Sequence, residues 1–137
     1  MEKIKEFFKK DSFAGHCGIQ LLEVSEGCAK AVMDITPHHL NSAGTIHEGA
    51  IFTLADLAFA VAGNTHETVA VAIYVNISFI KAVNHGPLYA VAKETSMNPK
   101  LATYDIPVTD DSGNLIALFN GLAYRKEKRL DQGVEYK

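Results

Sequence analysis

Asp56 is where a chemical reading of this chain starts. It is the one carboxylate within residues 49–63, GAIFTLADLAFAVAG, where nearly every other side chain is apolar. A carboxylate withdrawn from water costs several kcal/mol unless it is paired or protonated. Two uses are therefore open to Asp56. It is either a structural group hydrogen-bonded to nearby backbone, or one whose ionisation or nucleophilicity is put to work. Four histidines, His38, His39, His47 and His66, flank the same run and invite a metal reading. Zinc needs three or four converging ligands, and no two of these stand at i, i+4 on one helix, so no metal site is expected. His47 is assigned to hold the loop by hydrogen bonding. Cys17 and Cys28 form no CxxC pair and read as free thiols of a reducing compartment.

The element that must position Asp56 is a helix without a polar stripe at the 3.6-residue period. A membrane span needs roughly 20 apolar residues and this run is shorter, so the helix is buried inside protein. Thr45 and Glu48 stand at capping-box spacing and predict its start. Gly63-Asn64 predicts its end in a left-handed conformation. Ahead of it, Ile4, Phe7 and Phe8 mark a short amphipathic helix over 2–10. Asp11-Ser12 caps a second turn through Phe13-Ala14, closed by Gly15. Residues 19–35 read as two antiparallel strands joined at Ser25-Glu26-Gly27, with Ala29, Ala31, Met33 and Ile35 on one face.

Residues 37–46 are a loop by composition, and four strands follow the helix. The first places Val71, Ile73, Val75, Ile77 and Phe79 on one face. The second runs over 88–97, and the third over 101–109 with Pro107 marking an edge or a bulge. The last runs over 115–125 and leaves a charged, frayed tail at 126–137. The expected fold class is α+β, a single domain over 1–137 in which a curved antiparallel sheet wraps one long central helix.

Composition narrows the function classes. The chain has 137 residues and a formal net charge of -3, which argues against a nucleic-acid partner. The first ten residues mix lysine, glutamate and phenylalanine and do not read as a signal peptide. No membrane association and a cytoplasmic location are the expectations.

The residues Leu40-Asn41 to His47, Gly49, Phe52-Thr53-Leu54-Ala55-Asp56, Ala58-Phe59-Ala60 and Asn64 resemble the hotdog-fold acyl-CoA thioesterases. The resemblance is to the phenylacetyl-CoA thioesterase-like group of phenylacetate degradation. It extends through Ile77-Ser78-Phe79-Ile80-Lys81, Tyr104-Asp105-Ile106 and Ala117-Leu118-Phe119 to Arg125. It implies a hotdog fold and hydrolysis of an aryl- or medium-chain acyl-CoA without metal or cofactor. It also implies a homodimer pairing into a homotetramer, with sites between subunits.

Residue by residue, the resemblance makes Asp56 the nucleophile or general base and the Glu48 amide, after His47, the donor to the thioester oxygen. Asn41 helps to place water or carbonyl. Where the group has Gly-Gly after the histidine, this chain has Glu48-Gly49, and a carboxylate there would crowd an acyl chain or act as a second acid-base group. Phe52, Phe59 and Tyr74 are the expected walls of the acyl pocket. Lys81 and Arg125, with Lys100 and Lys126 beside them, are the expected contacts to the CoA phosphates. Two other functions use the same fold: a hydratase or dehydratase with His47 and Asp56 as an acid-base pair, and a non-catalytic acyl-CoA sensor.

Overall fold

The computed structural model describes residues 1–130, and the part of the expected tail at 131–137 lies outside the described residues. Two short helices, α1 (Glu2–Phe8) and α2 (Ser12–His16), precede strands β1 (Ile19–Ser25) and β2 (Cys28–Asp34). The long helix α3 (Glu48–Gly63) follows, then β3 (Thr68–Phe79), β4 (Pro87–Met97), β5 (Leu101–Thr109) and β6 (Leu115–Arg129). The strands form one sheet in the order β1-β2-β4-β5-β6-β3, antiparallel at every junction. This is the expected α+β arrangement. The chain enters the sheet at one edge, β1–β2, crosses through α3 to the other edge, β3, and fills the middle last.

The helix is buried for the reason its sequence predicts. Leu54, Ala55, Ala58, Val61 and Ala62 are fully enclosed. The sheet answers with Ala29, Ala31 and Met33 from β2 and Leu88, Ala90 and Ala92 from β4. Small residues on both sides let helix and sheet approach closely, and the larger volume comes from Met33, Tyr104 and Phe119.

Four local expectations are corrected. Gly63 and Asn64 do not end α3 in the left-handed region, since Asn64 has φ -101. Its side chain stops the helix instead, donating to the Ala60 carbonyl (2.7 Å) and accepting from the Ala70 amide (2.9 Å). The first turn of β3 does not share a face with the rest. Ala72 pairs with Ala123 and Tyr74 with Leu122, so Ile73 is an extra residue that puts Val71 on the other face from Val75 and Ile77. Pro107 lies in a central strand, and the β4–β5 pairing lapses there, between Ala90↔Val108 and Lys93↔Asp105. Finally, residues 126–129 continue β6. Arg129 pairs with Thr68, and its guanidinium meets Glu67 at 3.6 Å.

A polar cluster closes the C-terminal end of α3. The Tyr104 hydroxyl, only 1% exposed as a residue, donates to Glu94 Oε2 at 2.6 Å, and His66 Nε2 lies 2.8 Å from the same oxygen. Burial first, and then Glu94, push the Tyr104 phenol far above its ordinary range, so it remains a donor at any working pH. Tyr104→Phe leaves Glu94 with one donor fewer and is expected to cost about 1–3 kcal/mol. Urea unfolding would measure this, and an unchanged midpoint would show that the bond contributes nothing.

Candidate functional site

The loop before α3 is built from its own side chains. Leu40 bridges Ile46, and the Asn41 amide donates to the Thr45 carbonyl at 2.8 Å. Asn41 Oδ1 accepts from the amides of Ala43 (3.0 Å) and Thr45 (3.2 Å), while Nδ2 lies 3.1 Å from Thr45 Oγ1. Gly44, at φ +79, makes the turn possible. Asn41 thus braces the turn through Oδ1 and one Nδ2 hydrogen, and among the described residues its second Nδ2 hydrogen meets no acceptor and stays available to the water or carbonyl that the resemblance implies.

The start of α3 also differs from expectation. Thr45 is engaged with Asn41, and the helix begins at Glu48 with His47 as its cap. His47 Nδ1 accepts the Gly49 N–H at 2.8 Å. An amide only donates, so Nδ1 carries no proton and the imidazole is the neutral Nε2–H tautomer. The ring lies against Gly49: a Cβ added there would meet Nδ1 at 2.9 Å and Cε1 at 3.2 Å. Among the described residues the Glu48 N–H meets no acceptor, and the Glu48 side chain is exposed. The helix start therefore offers an open amide donor, reinforced by the helix dipole.

Asp56 stands two turns further on, half-buried. Among the described residues its carboxylate has no hydrogen-bond or ion-pair partner. Burial is the main cause, and the negative charge of Asp11 the second, that raises it above the ordinary aspartate range. Among the described residues it holds neither the backbone amide nor the cation that ordinarily stabilises a structural aspartate.

The model of the thioesterase superfamily matches residues 43–117, a span that includes His47, Glu48, Gly49 and Asp56. The chain belongs to the thioesterase superfamily. It is 42% identical over 127 residues to a protein of Archaeoglobus fulgidus named provisionally as an esterase, covering 91% of this chain and 82% of that one. It is 33% identical over 119 residues to the acyl-coenzyme A thioesterase PaaI of Escherichia coli K12, covering 86% and 85%. The solved structure of the Escherichia coli PaaI protein, from the phenylacetic acid degradation operon, superposes with a TM-score of 0.87 at 30% identity, over 90% of this chain and 91% of that one. The wrapped helix is the hotdog fold of this thioesterase family, as the resemblance implied.

Within this thioesterase, the remaining sequence-selected residues are dispersed. Phe52 is half-buried, its ring edge-on to Phe119 at 5.4 Å. Phe59 is a core residue, 2% exposed and packed on Tyr104 and Phe119. Tyr74, 62% exposed, pairs with Leu122, on the opposite face from the inward Gly121. Strand alternation therefore keeps Phe59 and Tyr74 from walling one pocket in a single chain.

Lys81 is exposed, and its amide bonds the Ile116 carbonyl at 3.2 Å. Arg125 lies at the far end of β6, where Nη1 donates to the Asn98 carbonyl at 2.8 Å. Nine residues of strand separate Ile116 from Arg125, roughly 30 Å. The thioesterase chain by itself cannot bring both cations to one CoA head. Among the described residues no cluster of three His, Cys, Asp or Glu side chains suited to a metal ion is present, and no helix is long and apolar enough to cross a membrane.

Proposed function

We propose that this chain hydrolyses aryl- or medium-chain acyl-CoA thioesters to the free acid and CoA, with Asp56 as the general base or nucleophile. The carrying observation is the half-buried Asp56 carboxylate, without a hydrogen-bond partner among the described residues. As a base it takes a proton from the water that attacks the thioester carbon. The carbonyl oxygen becomes an oxyanion and accepts the open Glu48 N–H. Collapse of the tetrahedral intermediate breaks the carbon–sulfur bond, and the proton held on Asp56 passes to the CoA thiolate, which leaves as the thiol and restores the carboxylate. One oxyanion donor is worth about 3–4 kcal/mol where it has been measured.

Eight residues of helix separate Glu48 from Asp56, roughly 12 Å, and both must lie within a few Å of one carbonyl. A single chain cannot satisfy that, so the reading requires a second copy whose α3 runs past the first. The unpaired edge of β3, twelve residues long, is the surface on which a homodimer would continue the sheet, and homotetramers would follow by pairing of dimers. The proposal includes a cytoplasmic location and needs no metal, cofactor, nucleic acid or membrane.

The hydratase reading is weakened by the cap. A histidine that carries its proton on Nε2 and spends Nδ1 on Gly49 has no free lone pair with which to act as a base. The test is thiol release from a panel of aryl-acetyl and straight-chain acyl-CoAs, with enoyl-CoA added as a control. Rapid release on some of the panel supports the proposal. Hydration of the enoyl double bond without release, or tight binding without either, overturns it.

A further inference from the structure

His39 is a buried histidine, 9% exposed, in the 3-10 turn Pro37–His39, and no step of the proposed reaction uses it. Each of its polar groups is committed to backbone. Nδ1 accepts the Thr36 N–H at 2.9 Å, and Nε2 lies 2.7 Å from the Cys17 carbonyl oxygen. A carbonyl only accepts and an amide only donates, so the proton is on Nε2 and the ring is neutral. The His39 carbonyl in turn accepts the His47 N–H at 2.7 Å, and His47 caps α3 through the Gly49 N–H. These contacts form a continuous strut. It starts at Cys17, which follows α2, passes through the His39 ring and backbone to His47, and ends on the first turn of α3.

We propose that His39 is a positioning residue for the oxyanion end of the site. It anchors the backbone of His47, so that the His47 ring stays on Gly49 and the adjacent Glu48 N–H stays open to substrate. This rests on the proposed role of the Glu48 amide. His39 touches neither amide and acts through His47 alone. Its energetic leverage is that of placement, where a displacement of about 1 Å in a reacting group costs up to about 100-fold in rate.

The test pairs two readouts on the full chain. The first is nitrogen-15 NMR of the histidine rings and of the Gly49 amide, which needs no substrate. The wild type is expected to show both His39 and His47 as Nε2–H tautomers. In His39→Ala the Gly49 amide resonance should move although residue 39 does not touch it. The second is steady-state thiol release, where His39→Ala should lower kcat roughly 10- to 100-fold with KM changed less than about threefold. His39→Gln retains a donor for Cys17 and should recover most of the loss; it also serves if the alanine variant fails to fold.

An Nδ1–H tautomer at His39, or a folded His39→Ala protein with an unmoved Gly49 resonance and unchanged kcat, overturns the inference. So does a kcat loss that leaves the Gly49 resonance in place, because the effect then bypasses the strut. Absence of thiol release from the wild type would remove the proposed function, and the ring and amide spectra would still decide whether the strut exists.

Discussion

Replacing Asp56 by asparagine is expected to remove turnover and, at neutral pH, to make the protein more stable than the wild type. The two effects share one cause. The folded chain raises the Asp56 carboxyl above its ordinary range, chiefly by burial and secondarily through Asp11, so the native state holds that proton more tightly than the unfolded state does. Stability therefore falls as pH rises from the ordinary aspartate value through the raised one, and the deficit persists above it. Asparagine carries no charge and is free of this deficit. Melting temperatures should favour Asp56→Asn near pH 7 and converge in acid, where aspartate is protonated in both states. Turnover needs the carboxylate, so the acid limb of wild-type kcat/KM should lie above the ordinary aspartate range, and the variant should lose roughly 100- to 10,000-fold. A variant less stable than wild type at neutral pH would identify Asp56 as a structural partner and withdraw it from the chemistry.

The same contrast separates what the sequence carried from what it did not. Helix α3 was legible because an apolar run without a stripe has few other fates, and Asp56 was legible because it interrupts that run. Strand alternation likewise announced β2, with Ala31 and Met33 on its buried face. The helix start was misread because Thr45 and Glu48 carry the capping-box signature, whereas a histidine cap such as His47 has none. What decides between them is that Asn41 already occupies Thr45. Glycine at 49 has a reason only once the His47 ring is seen to lie on it. The exposed position 48 has no such neighbour, and the structure there accepts glutamate where the resemblance led to glycine. Likewise, His66 and Glu94 are far apart in the chain, and only the fold brings them together at 2.8 Å. Local pattern thus locates the elements, while the side chains that settle their ends depend on partners that no window of sequence contains.

Gly121 is where this dependence should be most costly to disturb. It lies inside β6, where glycine forgoes side-chain packing and ordinarily weakens a strand. Here it faces the ring of Phe59, and a Cβ would stand 2.7 Å from Cε1 and Cζ and 2.9 Å from Cε2. Those are ring atoms of a buried side chain held by Tyr104 and Phe119, with no solvent to retreat into. Gly121→Ala is therefore expected to destabilise by about 1–3 kcal/mol or somewhat more, the usual range for an overpacked core, with the melting temperature falling by roughly 3–10 °C. The choice of partner gives the control. Phe59→Leu alone should also destabilise, by leaving space beneath β6. In the double variant the new methyl group enters that space, so the two losses should fall well short of their sum. Thermal or urea unfolding of the four proteins measures this coupling. Strict additivity would mean that the alanine is accommodated by movement of the strand, and that the contact between Gly121 and Phe59 does not set how closely β6 approaches the central helix.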